Sequence, residues 1–172
     1  MGEVDNKFFP KPDFVKVVVE KLKSVNAEPF LFDTTVAYKA KRHTKQGYYE
    51  VAKKHGFTEE NVGCSVKIDD SGKKINIKGI DYEVADTLFE STHIFAINHV
   101  KGHIATGMGG AIKNFGMGGV TKESKMDMHR GSKPVYKKDE CTYCGICAEV
   151  CPFDAINVEK NSWERNKSAC FG

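Results

Sequence analysis

Apolar residues recur at three- and four-residue steps near the start of the chain, a spacing that puts them on one face of a helix. The residues with this spacing are Phe14, Val15, Val18, Val19, Leu22 and Val25. Pro10 and Pro12 precede the repeat, and proline is common where a helix begins. The pattern therefore predicts an amphipathic helix that ends near Asn26.

Short apolar runs further along the chain predict strands that alternate with helices. A second helix is predicted from Thr44 to His55, with Gly56 as its C-terminal cap, and a helical turn or two from Glu83 to Glu90. The predicted strands are Pro29–Phe32, Cys64–Ile68, Lys74–Ile80 and His93–Ile97. The alternation favours an α/β fold, a layered sheet with flanking helices.

The first predicted strand leads into a polar segment. Residues 33–35 read Asp-Thr-Thr and directly follow the apolar run. The carboxyl end of a strand is where α/β sheets usually carry their binding groups. This segment is therefore a candidate part of a binding site.

A glycine-rich segment from Gly102 to Gly119 contains seven glycines and repeats Gly-Met-Gly-Gly. Its spacing matches neither of the common phosphate-loop patterns, GxGxxG and GxxxxGK[ST]. Closely spaced glycines let backbone N–H groups approach an anion, and tight packing or turns would also explain them. We predict that the segment binds an anionic substrate or cofactor. The predicted binding residues are Lys101, Gly107, Gly109, Gly110, Lys113, Asn114 and Gly116.

Histidines are concentrated around this segment. His99 and His103 are four residues apart and would share a face if the segment were helical. The pair could then supply a general acid for an anionic substrate, or two ligands to a metal, although no carboxylate or cysteine nearby completes a metal site. His99 and His103 are therefore the candidate catalytic residues. His93, on a predicted buried strand, is expected to be structural.

The charge balance argues against two classes of partner. The chain has 26 basic and 23 acidic side chains, a net charge of +3, which is too small to indicate a nucleic-acid surface. No window contains the run of apolar residues that a membrane span requires. We therefore expect no nucleic-acid or membrane partner, and a cytoplasmic protein in a reducing, low-oxygen environment.

Cysteines with a distinctive spacing lie near the end of the chain. Cys141, Cys144, Cys147 and Cys151, the last before a proline, form the CxxCxxCxxxCP pattern by which ferredoxins hold [4Fe–4S] clusters. Zinc sites use paired cysteines separated by longer loops, and no secretory signal supports disulfides. We therefore predict iron-sulfur ligation. Cys64, alone in an apolar stretch, is expected to be a small buried residue.

The number of clusters stays open, because the ligand sets are incomplete. In two-cluster ferredoxins the cysteine before proline, here Cys151, ligates the other cluster. Cys170 is then either a further ligand of a second cluster, in a native polypeptide that continues beyond residue 172, or the fourth ligand of a single one. The predicted domains are an α/β domain over residues 1–134, ending in a polar linker over 122–134, and a ferredoxin-type module over 135–172.

Several blocks of the chain resemble the iron-sulfur family known as domain of unknown function 362. They are residues 29–34, 55–57, 99–103, 107–118 and 125–129, followed by the cysteine run. The resemblance implies an α/β domain joined to a two-cluster ferredoxin-like module, in a family without an assigned reaction. It also implies that this chain lacks flanks present in other members.

Three functions are compatible with these features. The first is an iron-sulfur electron-transfer protein or subunit, with a ferredoxin or an oxidoreductase subunit as redox partner. The second is a reductase acting on an anionic molecule bound at the glycine-rich segment. The third is a structural or redox-sensing role for the cluster.

Overall fold

The computed structural model describes residues 2–103, 106–130, 134–151, 153–167 and 169–170, with the side chain of residue 130 left out of the description. The chain divides into two compact units, Met1–Lys125 and Met126–Gly172. A compact unit is not by itself an independently folding domain. The predicted domain boundary at residue 134 therefore stays a prediction.

The first unit contains short helices and short strands in mixed order. Its helices are α1 (Pro12–Lys23), α2 (Lys45–Lys54), α3 (Glu59–Val62), α4 (Asp86–Phe89), α5 (Ala111–Gly118) and α6 (Lys122–Arg130), the last running into the second unit. Its strands are β1 (Leu31–Thr34), β2 (Val66–Asp69), β3 (Gly72–Ile77), β4 (Ile80–Ala85), β5 (Lys101–His103) and β6 (Gly107–Gly109). The mixed α/β character predicted from the sequence is confirmed.

The strands do not join into the single layered sheet that the sequence predicted. Within the described residues they form separate two-stranded sheets: β1 parallel to β2, and antiparallel hairpins of β3 with β4 and β5 with β6. The β3–β4 hairpin closes through Lys78 and Gly79, both at positive φ. Such a tight turn favours pairing between neighbours in sequence over the extension of a larger sheet.

The core of the first unit is formed by α1 and the elements around it. Val15 and Val19 of α1 are buried against Phe57, Val62 and Cys64. The helix begins at its predicted position and ends at Lys23, a few residues earlier than predicted. The prediction that Cys64 is a buried residue is confirmed.

Local signals at both ends of α2 explain its bounds. Thr44 is the N-cap, and its hydroxyl accepts a hydrogen bond from the Gly47 N–H at 3.1 Å. Gly56 follows the helix with φ of +84°, a conformation that glycine adopts without strain. Gly47 also approaches the preceding loop closely, because a Cβ there would lie 2.0 Å from the Lys41 carbonyl oxygen. The predicted helix and its cap are confirmed.

Three predicted segments differ from the structure. Residues 93–97 form no strand, and Ile94 and Phe95 are exposed. Among the described residues, no strand pairs with this segment. His93, expected on a buried strand, is also exposed. Residues 80–85 form β4, the second strand of the β3–β4 hairpin. The helical turn predicted from Glu83 to Glu90 is therefore limited to α4. The segment 122–134, predicted to be a polar linker, begins with helix α6.

The second unit contains the cysteine run and a small hairpin. A 3-10 turn, Lys138–Glu140, precedes the cysteines, and α7 (Ile146–Glu149) lies among them. β7 (Ile156–Glu159) pairs antiparallel with β8 (Ser162–Arg165). Tyr136 stacks on Trp163 of β8, with ring centroids 4.6 Å apart. The prediction of a ferredoxin-like [4Fe–4S] module stays a prediction.

Among the residues described, no helix combines the length and the apolar character that crossing a membrane requires.

Candidate functional site

The loop that carries the cysteines turns sharply between them. Tyr143 and Gly145 both have positive φ, at 56° and 81°, and α7 begins directly after Gly145. Glycine takes this conformation readily. The two turns reverse the backbone between Cys141 and Cys147, as a loop that surrounds a cluster requires.

Backbone N–H groups point at the sulfur atoms of this loop. The Tyr143 N–H donates to Cys141 Sγ at 3.4 Å, and the Ala155 N–H donates to Cys151 Sγ at 3.4 Å. Hydrogen bonds from the Ile146 N–H and then the Thr142 side chain lower the pKa of Cys144. The thiolate is the form that binds iron, so these donors favour the ligating state.

The cysteines differ in their exposure to solvent. Cys144 and Cys147 are exposed, and Cys141, Cys151 and Cys170 are half-buried. Cys64, in contrast, is buried in the core of the other unit, and burial raises the pKa of its thiol. A buried thiol with a raised pKa is unreactive.

The described residues do not gather three or more cysteine, histidine, aspartate or glutamate side chains around one point where a metal ion could sit. The fit to a cluster therefore rests on the donor chemistry: thiols at cluster spacing, a loop with two positive-φ turns, and N–H groups directed at sulfur. Cys170 lies on a separate turn, where its N–H donates to the Asn166 carbonyl at 3.0 Å. The assignment of Cys141, Cys144, Cys147, Cys151 and Cys170 as ligands stays a prediction.

The glycine-rich segment forms a short hairpin with basic side chains on one face. Lys101 pairs with Gly109 and His103 with Gly107, so both basic residues lie on the same face as two glycines. A Cβ at Gly109 would have Lys113 Cδ at 3.7 Å and Lys101 Cγ and His103 Cβ at 3.9 Å. Three basic side chains therefore surround a floor without side chains. We call Lys101, His103, Gly109 and Lys113 the basic cradle.

The two lysines of the basic cradle have no neutralising carboxylate at ion-pair distance among the described residues. Burial, and then the charge of Lys101, lower the pKa of Lys113. Neither lysine forms an ion pair within the described part of the chain. Helix α5 begins directly after Gly110. An anion at the cradle would relieve the repulsion between the two amines.

The other glycine-segment residues have different surroundings. Gly107, at φ of +71°, shapes the hairpin, and a Cβ at Gly116 would meet nothing within 4 Å. The Asn114 side chain donates to the Ile97 carbonyl at 3.1 Å and to Asn98 Oδ1 at 2.7 Å. Asn114 thus fastens α5 to the preceding segment, and its predicted contact with a ligand stays a prediction.

The predicted helical pair of histidines is wrong in its geometry. His99 is exposed in a segment without regular structure, and His103 lies on β5. Gly102, between them, pairs with Met108 in the hairpin, and this pairing competes with helix formation. His103 Nδ1 accepts a hydrogen bond from the Thr106 N–H at 3.3 Å. The histidines therefore do not act together on one helix face, and their catalytic role stays a prediction.

A buried polar cluster lies at the carboxyl end of β1, the edge that the sequence marked with Asp33. Tyr48 is fully buried, and its hydroxyl donates to Asp33 Oδ2. Arg42 donates to the Tyr48 hydroxyl at 3.4 Å and to Glu3 Oε1 at 2.7 Å. Burial, followed by the charge of Asp33, raises the pKa of Tyr48 well above its usual range.

Lys125 completes this cluster and was missed in the sequence. Its amine donates to Thr34 Oγ1 and to the Thr35 carbonyl, the latter at 2.7 Å. Burial is the main reason that its pKa falls from 10.5 to about 8, with Asp33 opposing the shift and Arg42 adding to it. The polar sequence around Lys125 carries no signal of its burial.

The model of one protein family covers nearly the whole chain. This family is described as Domain of unknown function (DUF362), and its model matches residues 1–167. The chain belongs to the DUF362 family. The resemblance noted in the sequence is thereby confirmed over the blocks that carried it.

Two curated relatives of this DUF362 chain are similar over a short stretch. An uncharacterized ferredoxin of Methanocaldococcus jannaschii is 56% identical over 25 residues, 14% of this chain and 40% of the relative. A ferredoxin of Methanothermococcus thermolithotrophicus is 54% identical over 26 residues, 15% of this chain and 43% of the relative. The DUF362 chain thus spans about two fifths of the length of these relatives. No solved structure matches it.

Proposed function

We propose that this DUF362 chain is an iron-sulfur electron-transfer protein or subunit that relays single electrons through one or two [4Fe–4S] clusters. Cys141, Cys144 and Cys147 are the proposed ligands of the first cluster, with Cys151 and Cys170 completing it or serving a second. The observation that carries the proposal is the set of backbone N–H groups directed at the sulfur atoms of Cys141, Cys144 and Cys151 within a loop of ferredoxin spacing. The relatives named as ferredoxins support it.

A bound cluster would supply one-electron chemistry, and the chain supplies the surroundings that set its potential. N–H donors to Cys141 and Cys151 sulfur stabilise negative charge, and charge is larger in the reduced state. Such hydrogen bonds therefore favour reduction and raise the potential. The proposed partner is a redox protein, such as a ferredoxin or an oxidoreductase subunit.

The test is anaerobic reconstitution, followed by iron and sulfide analysis and electron paramagnetic resonance after dithionite reduction. About four irons per chain indicate one cubane and about eight indicate two. Reversible one-electron reduction supports electron transfer. A cluster whose reduction unfolds the second unit would favour the structural role, and a folded chain without iron would refute the proposal.

Cys144→Ser and Cys64→Ala form a matched pair for this test. Cys144 is exposed in the loop, whereas Cys64 is buried in the core of the first unit. We expect Cys144→Ser to lose at least one cluster and Cys64→Ala to retain the iron content of the parent chain. Equal iron in both variants would contradict the assignment of the loop.

The basic cradle favours a second function, reduction of an anionic substrate or cofactor. Its support is the convergence of Lys101 and Lys113 on Gly109 without neutralising carboxylates among the described residues. Calorimetry with inorganic pyrophosphate tests the cradle, with Lys113→Met as the variant and exposed Lys53→Met as the control. We expect Lys113→Met alone to weaken binding, with cluster absorbance unchanged. Equal affinity in both variants would remove this candidate.

A further inference from the structure

Three buried residues without an assigned role lie together where β1 ends. Thr34 and Thr35 are 1% and 0% exposed, and Lys125 of α6 is 7% exposed. Burial of polar groups costs free energy unless each finds a hydrogen-bond partner. Each polar group of these three residues therefore needs a hydrogen-bond partner.

The donors of this group exceed its acceptors. The Lys125 ammonium has three N–H donors, and two of them reach Thr34 Oγ1 and the Thr35 carbonyl. Thr34 Oγ1 donates onward to the Gly118 carbonyl at 2.9 Å. The third Lys125 donor has no acceptor among the described residues. The fully buried Thr35 hydroxyl has no hydrogen-bond partner among them either. Two buried donors thus remain available at one strand end.

The positive charge of Lys125 also lacks a direct counterion. No carboxylate of the described residues lies at ion-pair distance from its amine. Asp33 attracts the amine from further away, but its oxygens already accept from the Tyr48 hydroxyl and the Thr34 N–H. Arg42 repels the amine and is itself paired with Glu3. The cluster therefore leaves one buried cation incompletely neutralised.

A single oxyanion supplies what is missing: negative charge and several lone pairs on adjacent oxygens. We propose that Lys125 and Thr35 bind one oxyanion group, a carboxylate or a phosphate, at the carboxyl end of β1. This edge of parallel strands is where α/β proteins bind ligands. The site shares no residue with the cysteine loop or with the basic cradle. It therefore goes beyond the proposed electron transfer.

Lysine side-chain NMR tests the site in the full chain. The 15N-labelled chain is titrated near pH 6.5, below the Lys125 pKa of about 8, with sodium formate and separately with sodium phosphate. Sodium chloride at the same ionic strength is the control, and Lys125→Met identifies the Lys125 signal by its loss. The Lys113 signal in the same spectra reports on the basic cradle. The two sites are therefore distinguished in one experiment.

We expect saturable movement of the Lys125 signal with formate or phosphate and none with chloride. Thr35→Val keeps the shape of the side chain and removes the hydroxyl, so it should weaken the affinity for the oxyanion by at least about tenfold. Thr35→Ser, which retains the hydroxyl, should bind as the parent chain does. Response to formate alone indicates a carboxylate site, and response to phosphate alone indicates a phosphate site.

Two results would overturn the site. One is a Lys125 signal that moves no further with either oxyanion than with chloride. The other is unchanged affinity in Thr35→Val, which would mean that the hydroxyl only fills space. If Lys125→Met fails to fold, calorimetric titration of Thr35→Val and Thr35→Ser with formate and phosphate still decides the test, because it needs no assigned lysine signal.

Discussion

Replacing Lys125 by methionine is expected to remove a pH dependence from the stability of the first unit. The pKa of Lys125 falls from 10.5 to about 8, chiefly through burial. Between these values the unfolded chain holds the proton more tightly than the folded chain. The free energy of unfolding of the parent chain therefore rises as the pH rises through this window. Methionine has a similar length and no proton to exchange.

The magnitude follows from the two pKa values. At about 1.36 kcal/mol per pH unit, the difference between 10.5 and about 8 corresponds to about 3 kcal/mol. Integration of the linkage relation between about pH 7 and about pH 10 gives a change of about 2.5 kcal/mol. The free energy of unfolding of Lys125→Met minus that of the parent chain should therefore fall by about 2.5 kcal/mol from about pH 7 to about pH 10. Lost hydrogen bonds to Thr34 and Thr35 add an offset that varies little with pH.

Urea unfolding followed by far-ultraviolet circular dichroism measures this difference, because α1 and α2 supply much of the helix signal. The one tryptophan of the chain, Trp163, lies in the second unit, so its fluorescence reports separately on that unit. Exposed Lys53→Met is the control and should track the parent at every pH. The difference in free energy of unfolding between Lys125→Met and the parent chain should change with pH. A constant difference from neutral to alkaline pH would refute the claim that the Lys125 amine is buried and incompletely neutralised.

Further substitutions test the packing around the candidate sites, each by urea unfolding. Gly47→Ala brings a Cβ to within 2.0 Å of the Lys41 carbonyl oxygen and should lower the free energy of unfolding by several kcal/mol. A small decrease would contradict this close approach. Gly116→Ala meets open space inside α5 and should stabilise the chain by about 1 kcal/mol, so a loss would reveal an unseen contact. Tyr48→Phe removes a buried donor to Asp33 and should cost about 1 to 3 kcal/mol, and an unchanged midpoint would argue against that bond.

Helices α1 and α2 could be predicted from the sequence because their signals are local. The spacing of apolar residues, the Thr44 cap and the terminal Gly56 act within a few residues of each other. Local signals of this kind need no knowledge of the remaining fold.

Strand pairing and the histidine geometry could not be predicted because both depend on partners distant in the fold. The apolar run at residues 93–97 has strand composition, yet no strand of the described residues pairs with it. A four-residue spacing such as that of His99 and His103 predicts a shared face only if the segment is helical. The hairpin of β5 with β6 removes that condition.

Lys125 shows why the full set of residues in the buried cluster could not be predicted from the sequence. Its amine contacts Thr34, ninety-one residues earlier in the chain, and nothing in the polar sequence around it indicates burial. The incompletely neutralised amine costs the folded state about 3 kcal/mol at neutral pH, on the pKa of about 8. An oxyanion present at about a hundred times its dissociation constant would stabilise the folded state by about 2.7 kcal/mol. Binding of an oxyanion at Lys125 and Thr35 would therefore recover a free energy of the same order as the cost of burying the amine.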